Sequence, residues 1–247
     1  MSKIKVILWD VDGTLLNFQE AEKCAIRACF ERFDMGICTD EMLAVYSEIN
    51  RGYWERLERG EISKIEVLEG RFRDFFTAFG MTTEQVSKFN REYQLSLGDT
   101  ICFEPGALKL VRALKGNYLQ CAVTNGTRVA QEKKLKRSGL DQMFDHIFIS
   151  DLVGYEKPAP EFFDMVARTK IGNYEKDEVL IVGFLTSDMR GGNQAGILTC
   201  WYNPKGLANT QNVPADYEIR HLEQVWEILN GGKNARDNLE EKTLQEL

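Results

Sequence analysis

Apolar runs rich in β-branched and aromatic residues recur along this chain, and they constrain its fold more than any other feature. The five clearest runs lie at residues 4–9, 119–124, 146–150, 179–183 and 197–202. From the second run onward, each is separated from the next by a stretch with helical periodicity. Near-continuous apolar strands that alternate with helices are typical of a parallel sheet covered on both faces. The sequence therefore predicts an α/β fold with a doubly wound, mostly parallel sheet, and a weaker sixth strand at 217–220.

The alternation of strands and helices is interrupted between residues 17 and 98. This stretch has helical periodicity throughout and no convincing strand, and Thr39 and the pair Thr82 and Thr83 are predicted N-caps. We therefore predict a helical domain at 17–98, inserted after the first strand of an α/β domain that consists of 1–16 and 99–231. The polar tail at 232–247 is expected to be an exposed helix or a frayed end with no assigned role.

Charge and composition argue against several classes of function. A net charge of −7 is unfavourable for a nucleic-acid-binding surface, which needs a basic stripe. Two histidines make a zinc site or a Ser–His triad improbable, and six scattered cysteines without CxxC spacing fit reduced thiols in a cytosolic protein. We find no signal peptide and no apolar run of membrane-spanning length. The sequence predicts a cytoplasmic protein that binds neither nucleic acid nor membrane.

The first predicted strand ends in two aspartates, within the stretch ILWDVDGTLL. Asp10 and Asp12 are two residues apart, so in extended chain they project toward the same side. Gly13 then allows a sharp turn, and Thr14 offers a hydroxyl group. Two carboxylates this close favour the binding of a hard cation, or a division of labour between a nucleophile and a proton carrier. Asp10 and Asp12 are therefore the strongest candidates for catalysis and for metal binding.

The stretch DVDGTLL resembles the first motif of the haloacid-dehalogenase-like (HAD) phosphohydrolases, and other stretches are similar to further motifs of that family. CAVTNG resembles the second motif, which implies that Thr124, Asn125 and Gly126 bind phosphate, although Thr-Asn-Gly is equally typical of a plain turn. YEKPAPEFF resembles the third, in which Lys157 would offset the negative charge of acids and phosphate. The likeness covers roughly residues 4–230. It implies a Rossmann-like HAD core with the inserted helices as its cap.

The predicted helical domain has a more specific likeness. NRGYWERLERGEISKIEVLEGRF and, near residue 200, GILTCWYNP are similar to the bacterial pyrimidine 5′-nucleotidases of this family. The resemblance implies a small phosphorylated metabolite as substrate, a nucleoside 5′-monophosphate. Packing is the alternative role for Trp54 and Phe72, which have helical spacing, so neither is assigned to nucleotide binding. Base and sugar preference, and the oligomeric state, do not follow from the sequence.

The family resemblance also implies a mechanism, phosphoryl transfer through an aspartyl-phosphate. Asp10 would attack phosphorus, and Asp12 would protonate the leaving oxygen and then activate water. Mg²⁺ would bridge Asp10 and the phosphate, while Lys157 and Thr124 would hold the remaining oxygens. The dehalogenase branch of the family lacks an acid at the position of Asp12, so Asp12 favours phosphate chemistry. We therefore expect a magnesium-dependent phosphatase.

The fourth motif departs from the family pattern. Relatives of this subfamily would have Gly-Asp-Ser before Leu-Thr-Ser-Asp, whereas here Phe184 alone stands between Gly183 and Leu185. The loop is one residue shorter and lacks one acid, so the predicted metal ligands are Asp10, Asp12 and Asp188, with Asp188 near the metal. The missing acid also supports a different class of function, a catalytically impaired family member that binds a phosphorylated ligand or partner. A phosphomutase, which shares the first motif and the cap type, is a third alternative.

Overall fold

The computed structural model describes residues 3–231 of the protein, so the tail at 232–247 lies outside the described residues. The chain forms two compact units. The α/β unit consists of the described parts of Met1–Asn17, Cys102–Arg128 and Ser138–Leu247, and the helical unit consists of Phe18–Ile101 and Val129–Arg137. The helical unit is thus built from two separate stretches of the chain.

Six parallel strands form the sheet of the α/β unit, in the order β3-β2-β1-β4-β5-β6. The strands are β1 (Val6–Trp9), β2 (Leu119–Thr124), β3 (His146–Ile149), β4 (Val179–Gly183), β5 (Leu198–Tyr202) and β6 (Tyr217–Ile219). This confirms the predicted fold class, a Rossmann-like α/β fold with flanking helices, and the weak sixth strand is present.

The centre of the sheet is the most deeply buried part of the α/β unit. Every residue of β1 and of β4 is buried, as expected for parallel strands covered on both faces. β1 lies between β2 and β4, so the chain winds away from it in both directions. In such sheets ligands bind beyond the carboxyl ends of the strands, at the point where the winding reverses. That point is the carboxyl end of β1.

Ten α-helices occur within residues 3–231, and none has both the length and the apolar character needed to cross a membrane. They are α1 (Phe18–Arg32), α2 (Asp40–Glu58), α3 (Lys64–Ala78), α4 (Val86–Leu97), α5 (Ala107–Leu114), α6 (Arg128–Ser138), α7 (Ser150–Val153), α8 (Pro160–Ala167), α9 (Thr186–Ala195) and α10 (Val225–Leu229).

The two predicted N-caps have different outcomes. Thr39 caps α2, and its hydroxyl accepts a hydrogen bond from the backbone N–H of Met42. The prediction at Thr82 and Thr83 is wrong, because α4 begins only at Val86. The hydroxyl of Thr82 instead accepts the N–H of Glu84 at 3.4 Å, inside a local turn that precedes the helix.

Aromatic rings fill the core of the helical unit. The rings of Tyr46 and Phe72 stack with their centroids 5.1 Å apart, and both side chains are fully buried. The burial of Phe72 agrees with a packing role. Ala130 of α6 belongs to the same apolar cluster, which explains why Val129–Arg137 groups with this unit although it follows β2 in the chain.

A buried polar network joins three helices beside these rings. Asn50 of α2 donates to Glu22 Oε2 of α1 at 2.7 Å and accepts from Arg71 Nη1 of α3 at 2.8 Å. The guanidinium group of Arg71 also lies 5.0 Å from the ring centroid of Phe72. Glu22, Asn50 and Arg71 are each at most 4% exposed, so the buried charges of Glu22 and Arg71 depend on each other and on the amide between them. Asn50 therefore links the carboxylate of Glu22 to the guanidinium group of Arg71.

We expect Asn50→Ala to lower the free energy of unfolding by about 2–4 kcal/mol, because it leaves Glu22 and Arg71 buried with incomplete hydrogen bonding. Urea denaturation followed by circular dichroism measures the change. Arg51→Ala is the matched control on the same helix. Arg51 is 64% exposed, so its replacement should cost no more than about 0.5 kcal/mol. Equal costs for the two variants would contradict a stabilising role for the network.

Candidate active site

Both predicted acids lie at the carboxyl end of β1, the point at which the winding reverses. Asp10 follows the strand directly, is 2% exposed, and donates its backbone N–H to the carbonyl of Val182 on β4 at 3.0 Å. Asp12 is half-buried two residues later, and Gly13 turns the chain with a φ of 86°. The structure thus brings Asp10 and Asp12 together at the carboxyl end of the central strand β1, as the sequence predicts.

The ammonium group of Lys157 joins the elements around Asp10. Its Nζ donates to Asp10 Oδ1 at 2.9 Å, to Asp188 Oδ1 at 2.6 Å and to the carbonyl oxygen of Val123 at 2.8 Å. An ammonium group has three N–H donors, and all three are used here. In this arrangement a further acceptor could bind Lys157 Nζ directly only by replacing one of these three.

The electrostatic balance around Asp10 is uneven, because two buried carboxylates share one ammonium group. Burial and the negative charge of Asp188 raise the pKa of Asp10 to about 7, although Lys157 opposes the rise. The charge of Asp12 raises the pKa of Asp10 further. Burial alone would lower the pKa of Lys157, but its two carboxylate partners raise it above its ordinary value. Lys157 therefore carries a fixed positive charge.

The predicted phosphate-binding stretch after β2 forms a tight turn. Thr124 is 1% exposed, and its hydroxyl oxygen accepts the backbone N–H of Gly126 at 3.1 Å. The side chain of Asn125 makes two hydrogen bonds with the backbone of Lys157, donating to its carbonyl at 2.8 Å and accepting its N–H at 2.7 Å. The Asn125 amide therefore positions Lys157. Sequence reasoning missed this contact, and the spacing of the motifs offers no signal for it.

The loop after β4 places Asp188 beside the ammonium group. Asp188 Oδ2 accepts the backbone N–H of Leu185 at 3.2 Å, so both of its oxygens have donors within the protein. A β-carbon added to Gly183 would lie 2.2 Å from that Oδ2. Gly183 is required here because the carboxylate folds back over its backbone.

Thr14 connects the first motif to the loop after β4. Its hydroxyl donates to Asp10 Oδ2 at 2.9 Å and accepts the backbone N–H of Phe184 at 2.9 Å. The carbonyl oxygen of Phe184 accepts the indole N–H of Trp201 at 3.2 Å. Neither contact of Phe184 involves its ring, which lies against Gly13. A β-carbon added to Gly13 would be 3.1 Å from Phe184 Cδ1.

The predicted magnesium ligands do not fit a resident metal site. Within residues 3–231 no group of three or more His, Cys, Asp or Glu side chains is arranged to hold a metal ion. Phe184 supplies no side-chain oxygen, and both oxygens of Asp188 are directed at Lys157 and at the N–H of Leu185. Asp10 is then the one buried carboxylate among the three predicted ligands that could ligate a cation. Mg²⁺ requires near-octahedral oxygen ligation. In the structure Asp188 is a partner of Lys157.

We expect Lys157→Met to lower the free energy of unfolding by about 3–5 kcal/mol, because it leaves two carboxylates buried without their cation. Adding Asp188→Asn should recover part of this loss by removing one of the two charges, a non-additive result that urea denaturation measures. Lys109→Met on α5 is the control, since that side chain is exposed. Strictly additive costs for the two site substitutions would show that the two residues are not coupled.

Comparison with known proteins identifies relatives along nearly the whole chain. The chain is 36% identical over 231 residues to the HAD hydrolase YfnB of Bacillus subtilis (strain 168), covering 93% of this chain and 97% of YfnB. The crystal structure of YfnB bound to magnesium superposes with a TM-score of 0.85 at 35% identity, covering 92% of this chain and 99% of that one.

A second relative is named for its substrate. The pyrimidine 5′-nucleotidase PynA of Streptococcus pneumoniae (strain ATCC BAA-255 / R6) is 32% identical over 229 residues, with 92% of this chain and 95% of PynA covered. The family model described as haloacid dehalogenase-like hydrolase matches residues 7–202, which include both aspartates, Lys157 and the loop after β4. The protein therefore belongs to the haloacid dehalogenase-like hydrolases.

Proposed function

We propose that this hydrolase cleaves the phosphomonoester of small metabolites, specifically pyrimidine nucleoside 5′-monophosphates, through an aspartyl-phosphate on Asp10. The observation that carries the proposal is the setting of Asp10: a buried carboxylate at the switch point of the sheet, held by Lys157 at one oxygen and by Thr14 at the other. The relationship to PynA supports the substrate class.

In the first step a carboxylate oxygen of Asp10 attacks phosphorus, and the bond between phosphorus and the ester oxygen breaks. The proton that the leaving oxygen needs comes from Asp12, which is two residues away and less buried. Lys157 and Thr14 fix the rotamer of Asp10, so the attacking oxygen is oriented before the substrate binds. The products of this step are the nucleoside and the aspartyl-phosphate.

In the second step water attacks the phosphorus of the aspartyl-phosphate. Asp12, now ionised, takes a proton from this water, and Asp10 leaves as a carboxylate, which restores the enzyme and releases inorganic phosphate. The fixed positive charge of Lys157 stabilises Asp10 as the leaving group. The resemblance to the family implies the use of Mg²⁺, and YfnB was crystallised with magnesium. Because the side chains do not fit a resident metal, the proposed steps use the chain's own residues.

One observation favours a second function. Phe184 leaves the loop after β4 without a second acid, and the phenyl ring lies against the first motif. A chain with this loop could bind a phosphorylated ligand with little turnover. The two functions differ in one measurable quantity, the release of inorganic phosphate from a ligand that binds.

We expect the purified protein to release phosphate from UMP and from p-nitrophenyl phosphate in the presence of Mg²⁺, measured with a colorimetric phosphate assay and repeated in EDTA. Asp10→Asn removes the nucleophile and should lower the rate at least about 1,000-fold, and Asp12→Asn about 100- to 10,000-fold. Asp177→Asn, an exposed surface change of the same kind, is the control and should leave the rate unchanged.

Mass spectrometry of the phosphorylated peptide tests the covalent intermediate directly. Acid-quenched reactions should carry one phosphoryl group on the peptide that contains Asp10, detected by mass spectrometry, and not in Asp10→Asn. Phosphate release no greater than that of Asp10→Asn would refute the phosphatase. If UMP still bound under those conditions, the second function would be the correct one.

A further inference from the structure

The loop after β4 is held in place at its backbone, whatever side chain residue 184 carries. The N–H of Phe184 is bound by Thr14 and its carbonyl by Trp201, while the half-buried ring lies against Gly13. The ring is therefore an apolar surface beside Gly13. It cannot contribute a metal ligand, and the two backbone hydrogen bonds oppose a movement of the loop.

Asp188 is equally fixed and cannot take the place of the missing acid. Its two oxygens accept from Lys157 and from Leu185, and the side chain is fully buried. Turning it toward a metal would leave the ammonium group with one carboxylate and the N–H of Leu185 unpaired. The protein by itself thus offers a divalent cation one carboxylate, that of Asp10, with Asp12 close by.

Charge nevertheless requires a cation once a phosphate is bound. Even with Asp12 protonated as the acid of the first step, Asp10 and Asp188 place two formal negative charges beside one positive charge, that of Lys157, and all three N–H donors of Lys157 are occupied. A phosphate dianion would add two more negative charges. It would also add oxygen ligands, and Mg²⁺ is commonly held by one or two carboxylates together with the oxygens of a phosphate.

We propose that this chain has no resident magnesium site, and that a divalent cation binds only together with a phosphate group, with Phe184 as the residue that makes cation binding depend on the anion. The coupling to phosphate rests on the proposed function, whereas the role of Phe184 does not. Binding of each partner should strengthen binding of the other by the same factor, as linkage requires.

Isothermal titration calorimetry with Mg²⁺ and inorganic phosphate tests the proposal on the full chain. Mg²⁺ alone should give no saturable binding to the wild type up to about 1 mM, the weak end of protein sites for such cations. With saturating phosphate, the Kd for Mg²⁺ should fall at least about 10-fold, and the Kd for phosphate should fall by the same factor when Mg²⁺ is saturating.

Two substitutions at position 184 distinguish the effect of removing the ring from the effect of adding a carboxylate. F184D restores a carboxylate and should tighten the binding of Mg²⁺ alone by about 10- to 100-fold, whereas F184L, which has no oxygen, should behave as the wild type. If F184D does not fold, as judged by circular dichroism, the variant with Asp-Ser in place of Phe184 provides the same comparison in a loop one residue longer.

Three results would overturn the proposal. The wild type could bind Mg²⁺ alone as tightly as it does with phosphate, or Mg²⁺ could leave the Kd for phosphate unchanged. The third is that F184D binds Mg²⁺ alone no more tightly than F184L does. These outcomes are independent of turnover. A protein that shows the coupling but releases no phosphate from UMP would refute the proposed phosphatase and leave the inference about position 184 intact.

Discussion

One buried ammonium group holds the candidate active site together. Lys157 joins the end of β1, the end of β2 and the first turn of α9 through Asp10, the carbonyl of Val123 and Asp188. A buried ion pair is favourable only where its geometry is good and its remaining hydrogen bonds are made. Here each N–H has an acceptor, and Asn125 holds the backbone of Lys157 through its N–H and its carbonyl. An amide in a different loop thus helps to position the cation that contacts Asp10.

Main-chain contacts of residue 184 fix the position of the loop after β4, whereas the side chain of this residue decides what the loop offers chemically. Thr14 and Trp201 bind the main chain of Phe184, and these two hydrogen bonds are available to any residue at that position other than proline. A phenyl ring can therefore occupy a loop in which the family resemblance implies an acid, and these two hydrogen bonds are still made. The ring offers no oxygen, and both oxygens of Asp188 already have donors.

The fold was largely predictable, because continuous apolar runs identify buried parallel strands and the predicted strand ends lie within two residues of those observed. The association of Asp10 with Lys157, 147 residues apart, was predictable only through the family resemblance. Two contacts were not predictable from the sequence: the pairing of Asp188 with Lys157, and the binding of backbone atoms by Asn125. They were not predictable because tertiary contacts decide the direction of a polar side chain, and periodicity does not encode those contacts.

The stretch of the helical unit that resembles pyrimidine 5′-nucleotidases contributes buried side chains to the interior of that unit. Asn50, Arg71 and Phe72 lie in the motif that carries this likeness, and all three are buried in the interior of the unit. Their contacts are with Glu22, with Asn90 and with neighbouring rings, so this stretch joins α1, α2 and α3 through Asn50, which bridges a buried carboxylate and a buried guanidinium group. The contacts of these three side chains therefore support a shared way of packing the helical unit.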